Sequence, residues 1–134
     1  MGFRRKSTEK MKIVEPKKYP SGTCVRTPSG IWYLKGGKKF RVLSERVLSS
    51  WNFPRVVDTS DIAISKYPYA GKLGLREGTY FIDTRSAQRF LVSENKKRQI
   101  VNPDWFELLG LDPATPLWVS ADEADLHLAG EVLE

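Results

Sequence analysis

Apolar and polar positions run through this chain in two similar blocks. Ile31-Trp-Tyr-Leu-Lys-Gly-Gly-Lys-Lys-Phe-Arg-Val-Leu-Ser44 has an apolar run, a turn, a short basic run and a second apolar step before a helix-capping residue. Arg89-Phe-Leu-Val-Ser-Glu-Asn-Lys-Lys-Arg-Gln-Ile-Val-Asn102 returns the same order. Laying Leu34 on Val92, Gly37 on Asn95, Val42 on Ile100 and Ser44 on Asn102 keeps one offset of about 58 residues, which implies duplication.

Each block predicts strands, a hairpin and a helix. In the first, Gly22 to Thr27 is β-leaning and Pro28-Ser-Gly30 makes a tight turn. Ile31 to Leu34 resume the strand, Gly36-Gly37 suit a two-residue hairpin, and Phe40 to Leu43 return. Ser44 caps a helix to Trp51 that Asn52 ends, Val56-Val57 follow, and a short helical turn holds Ile62 and Ile64 before Tyr67-Pro68 stops it. In the second, Gly78 to Ile82 and Gln88 to Ser93 are strands, Asn95-Lys96 the hairpin tip and Arg98 to Val101 the return strand. Asn102 caps a helix whose first residue is Pro103 and whose end is Gly110. Leu117 to Val119 form a strand, and Ser120 to Glu123 a capping box before a helix carrying Leu126 and Leu128.

The pattern gives an α+β chain of two tandem β-hairpin-plus-short-helix repeats packed together, behind an extended N-terminal arm. Residues 1–21 are the basic arm, 22–71 the first repeat, 72–77 a connector, 78–130 the second repeat and 131–134 an acidic tail. Alternation around Ile13 and Val14 suits the arm to adding a strand to a neighbouring sheet.

Composition narrows the function. Apolar residues at 40% with four Trp, five Tyr and six Phe supply a core, which excludes a disordered chain. Cys24 and His127 are each the only residue of their type, which excludes a disulfide framework and a cysteine zinc site, and they lie in different repeats with no motif to support a Ser-His or Cys-His catalytic pair. Gly71-Lys-Leu-Gly74 is too short for a phosphate loop. Asp122, Glu123 and Asp125 read as a solvated helix-starting face rather than metal ligands, and Trp51, Trp105 and Phe106 as core. No enzyme and no cofactor is expected.

The net charge of +6 is unevenly spread. Arg4, Arg5, Lys10 and Lys12 crowd the start, and Asp122 to Glu134 close the chain without a Lys or Arg. Opposite-sign ends suit head-to-tail contact between copies, and equally suit solubility. Lys38, Lys39, Lys96, Lys97 and Arg98 place cations at the hairpins beside aromatics, and Trp118 lies on a short strand. Together with the arm residues they are the candidate partner contacts, for an acidic protein patch or a wall polymer ahead of nucleic acid. No secretory signal or membrane span is expected.

Tyr33-Leu-x-x-Gly-Lys-Lys-x-x-Val-x-Ser44, an aromatic helix ending near Phe53, Val57-x-x-Ser-Asp61 and Tyr67-Pro68 together resemble a repeat of actinobacterial surface-associated secreted proteins. Similar repeats occur in structural proteins of actinobacteriophages. The second block is similar at Leu91-Val, Asn95-Lys-Lys-Arg, Ile100, Gly110-Leu111 and Val119-Ser-x-Asp122. The resemblance implies no catalytic residue. With no export signal expected, it implies a virion protein assembled in the host cytoplasm, a minor tail protein ahead of a capsid accessory, binding other virion proteins in many copies. The alternative is a wall- or surface-binding module of an actinobacterial protein, and the third a nucleic-acid-binding protein.

Overall fold

The computed structural model describes residues 16–134; Arg4, Arg5, Lys10, Lys12, Ile13 and Val14 lie outside them. The described chain is mixed α and β, mostly two five-stranded sheets with few helices. The first sheet comprises β1 (Thr23–Thr27), β2 (Gly30–Lys35), β3 (Lys38–Val42), β4 (Val56–Asp58) and β5 (Tyr69–Lys72). Helix α1 (Glu45–Trp51) follows β3, and a 3-10 turn (Ile62–Ile64) follows β4. The second comprises β6 (Tyr80–Asp83), β7 (Gln88–Ser93), β8 (Lys96–Gln99), β9 (Leu117–Val119) and β10 (Leu128–Ala129), with α2 (Asp104–Leu108) after β8 and α3 (Ala121–Ala124) after β9.

The two sheets share one strand order, β4-β1-β2-β3-β5 in the first and β9-β6-β7-β8-β10 in the second. Their registers also agree. β1 pairs antiparallel with β2 and parallel with β4, placing Val25 beside Trp32 and Val57. β6 pairs antiparallel with β7 and parallel with β9, placing Phe81 beside Phe90 and Leu117. Each hairpin tip holds two residues at positive φ. Gly36 and Gly37 at 61° and 75° need no side chain to be accommodated, whereas Glu94 and Asn95 adopt 53° and 63° in the same turn. The second tip is therefore Glu94-Asn95 rather than Asn95-Lys96, because Lys96 already pairs with Ser93.

Several boundaries differ from those the residue pattern predicts. The arm does not run to Ser21, because Lys17 donates its backbone N–H to Ala63 and Tyr19 donates to the Tyr67 hydroxyl at 2.7 Å. Residues 72–77 are not a plain connector, for they repeat the bonds of 16–21. Leu75 N–H donates to His127 Nε2 as Tyr19 does to Tyr67, and Gly78 to Val92 as Gly22 does to Leu34. The Thr79 hydroxyl donates to the Arg76 carbonyl as Thr23 does to Pro20. Each sheet thus has a lead-in segment laid against it.

α2 runs from Asp104, yet Pro103 already has helical φ and ψ of −63° and −15° and the Asn102 side chain accepts from Asp104 N–H, so Asn102 caps the turn and Pro103 opens it as read from the sequence. The helix after Ser120 ends at Ala124, and Leu128 lies in β10 beside Lys96. Glu123 is 3% exposed, not solvated. The Ser44 cap, the left-handed Asn52 and the Ser120–Glu123 capping box stand as read from the sequence.

By contacts the chain divides into two compact units. One holds the described chain through Arg41 with Pro54–Gly71. The other holds Lys72–Glu134 together with Val42–Phe53, so α1 packs in the second unit although the sequence groups it with the first hairpin. The first unit's core is Val25, Leu34, Ile64 and Tyr67, with Tyr19, Trp32 and Val57 against them. In the second, strand alternation sends Tyr80 to one face, where it meets Ile100, Phe106 and Leu133, and Phe81 to the other, where it stacks on Phe90 at 5.3 Å. Cys24 is buried, and desolvation pushes its thiol up to about 11, so little thiolate forms at neutral pH.

Candidate partner-binding surfaces

The lead-in of the first unit borders an open groove of about 520 Å³. Its floor is apolar: Leu34 and Tyr67 are buried and Tyr19 is half-buried. Lys17, Lys18, Lys35 and Lys66 are exposed around it, and among the described residues no carboxylate lines it. Such a groove suits an apolar segment with negative charge beside it.

The counterpart in the second unit is closed and lacks the four lysines. Gly74, Leu75, Ser93, Leu126 and His127 stand where the first unit has Lys18, Tyr19, Lys35, Lys66 and Tyr67. His127 is 2% exposed. Its Nε2 accepts from Leu75 N–H, so Nδ1 carries the hydrogen and donates to the Asn95 carbonyl at 3.0 Å. Helix α1 then lies across this lead-in and α3. Trp51 Nε1 donates to the Gly74 carbonyl at 2.8 Å, and Arg76 N–H donates to Ser50 Oγ at 3.2 Å. Arg46 pairs with Glu123 at 3.1 Å, and Ser44 Oγ donates to the same carboxylate. Burial alone raises the Glu123 carboxyl, but the bonds from Ser44, Ser120 N–H and Arg46 outweigh it and hold the group below its ordinary value.

A second cluster sits on Trp32. Lys39 and Arg41 lie 5.1 and 5.4 Å from its ring centroid, and Tyr69 meets it edge-on at 6.2 Å. Trp32 Nε1 and Arg41 Nε are buried, with no acceptor among the described residues. The second unit repeats the motif with its charge neutralised. Lys97 lies 5.6 Å from the Phe90 ring and pairs with Asp125 at 3.1 Å. Arg85 bridges Asp125 at 3.0 Å to the buried Asp83 at 2.7 Å.

That network carries a pH dependence. Hydrogen bonds from Arg85, then Lys97, lower the Asp125 carboxyl from 3.8 to about 2. A depressed folded-state value stabilises the fold above the ordinary value and loses that contribution as pH falls through about 2. Asp125→Asn is expected to flatten this part of the acid-unfolding curve, measured by circular-dichroism melting between about pH 4 and pH 2.

The strands distribute the candidate residues predicted from sequence as follows. Lys38 is exposed at the start of β3, and Lys39 joins Trp32. Lys96 is exposed, while Lys97 is tied to Asp125 and Arg98 to Glu131, its Nε donating to the Glu131 carbonyl at 2.8 Å. Trp118 is 55% exposed on edge strand β9, with β6 and β7 between it and β8, so the topology does not bring it to Lys96–Arg98. Sequence reasoning missed the groove. Its lysines are scattered, and Tyr67-Pro68 signals a helix stop before it signals a hydroxyl that accepts the lead-in backbone. No three His, Cys, Asp or Glu side chains among the described residues group as metal ligands, and no described helix is long and apolar enough to cross a membrane. No family model, no curated protein and no solved structure matches this chain.

Proposed function

We propose that this chain is a non-enzymatic structural protein of an actinobacteriophage virion, made of two tandem copies of one β-hairpin-and-helix repeat, whose work is to bind other virion proteins. A minor tail position is favoured over capsid decoration, with assembly in the host cytoplasm and many copies per particle. The observation that supports the reading is the divergence of two equivalent surfaces. One frame recurs with the same strand order, yet the lysine-rimmed groove stays open in the first unit and its counterpart is closed in the second. A duplicated frame that keeps one such surface free suits protein-protein contact. Mass spectrometry of purified particles is expected to find the chain at a fixed stoichiometry, and its absence from them overturns the proposal.

The Trp32 cluster favours a second reading, a module binding an anionic wall polymer. An indole face beside Lys39 and Arg41, with two buried donors lacking an acceptor among the described residues, suits a sugar ring bearing an acidic group. Retention of the isolated chain on purified actinobacterial walls, lost in Trp32→Ala, supports it against the virion reading.

A further inference from the structure

We infer that the open groove of the first unit receives helix α2 of a second copy, joining chains head to tail; this rests on reading the chain as a tandem repeat built for assembly. The second unit supplies the template. There, α1 crosses the lead-in and α3 through Trp51 on Gly74, Ser50 on Arg76 and Arg46 on Glu123. In the first unit the segment equivalent to the lead-in wall, at Lys18, instead borders an open groove, together with Lys66-Tyr67, which follow the 3-10 turn equivalent to α3.

Helix α2 is the counterpart of α1 at the repeat offset, and its outer side is uncovered. Leu108, at the position of Ser50, is 70% exposed, and Leu109, at the position of Trp51, is 41% exposed. Phe106 meanwhile anchors the helix in its own core. The charges agree with the assignment. α2 carries Asp104 and Glu107 and no basic residue in its last turn, and Asp112 follows, whereas among the described residues the groove has four lysines and no carboxylate. The other candidate occupant is the chain's own start. Arg4, Arg5, Lys6, Lys10 and Lys12 there repeat the sign of the groove, which favours the acidic helix.

A contact of unlike surfaces leaves one groove and one α2 free on every pair, so it propagates until it closes into a ring or extends as a filament. Sedimentation velocity of the full chain is expected to show association that grows with concentration and continues past the dimer. Leu108→Asn removes the apolar anchor at an exposed site, and Lys35→Glu with Lys66→Glu reverses the groove. Each variant is expected to weaken association about tenfold or more while keeping the circular-dichroism spectrum of the parent. Mixed together, they retain one good groove and one good helix and are expected to form a one-to-one dimer that grows no further. A chain monomeric at every concentration, association that neither variant changes, or a mixture that stays monomeric overturns the inference. A monomeric chain present in purified particles would overturn it and leave the virion reading standing; a self-associating chain absent from particles would do the reverse.

Discussion

Phe81→Ala is expected to cost about 3–5 kcal/mol and to shift the urea midpoint accordingly, a large share of the roughly 5–15 kcal/mol that holds a domain together. Phe81 is fully buried on β6, which lies between β7 and β9, so its side chain has neighbours from strands on both sides. It stacks on Phe90 at 5.3 Å with the rings 20° apart, and its register partner across β9 is Leu117. Removing the ring loses its transfer free energy and leaves a cavity that paired strands cannot collapse to fill. Val25, its counterpart on β1, is equally buried but smaller, so Val25→Ala is expected to cost less. Leu108→Asn provides the contrast, since at 70% exposure it is expected to change monomer stability by less than about 0.5 kcal/mol. A Phe81→Ala cost below about 1 kcal/mol would mean that the second sheet does not depend on its central aromatic pair.

The parts of this fold legible in the sequence are those written in local chemistry. Gly36-Gly37, the Ser44 cap, Asn52 and the Ser120–Glu123 box each satisfy a backbone requirement that few residue types meet, so the residue itself announces the structure. Glu94 shows the limit. Nothing about glutamate selects a φ of 53°, and only its alignment with Gly36 reveals the turn. The outer strands β5 and β10 were illegible for a different reason. Tyr69–Lys72 and Leu128–Ala129 are short and lack alternation, and they are strands because β3 and β8 offer them an edge. The lead-ins are held mainly through backbone groups, which any sequence supplies, by Tyr67 and His127 side chains far along the chain. The groove is the least legible feature. Lys17, Lys18, Lys35 and Lys66 become one surface only through tertiary structure, whereas the contiguous Lys96-Lys97-Arg98 drew attention although two of its members are spent on Asp125 and Glu131.

Gly74→Ala is expected to destabilise the protein by about 3 kcal/mol, although the backbone there needs no glycine. Gly74 is not at positive φ, so by chain entropy alone the change would stabilise by about 0.4–1 kcal/mol. The obstacle is His127. A methyl carbon built on Gly74 falls 2.5 Å from its Cε1 and 2.8 Å from its Nε2. The ring cannot step aside cheaply, because Leu75 N–H and the Asn95 carbonyl hold its two nitrogens and it is almost fully buried. Displacing it breaks the bond to Leu75 and strands a buried donor, on top of the overpacking itself. This assignment of cause has its own measurement. His127→Ala empties the space, so in that background Gly74→Ala is expected to be neutral or slightly stabilising, and the double-mutant cycle gives a coupling of more than about 2 kcal/mol. Two additive costs would place the strain in the backbone of the lead-in instead. Strong coupling would establish that the imidazole closes this side of the second unit, at the position where the first unit has Tyr67 and an open groove.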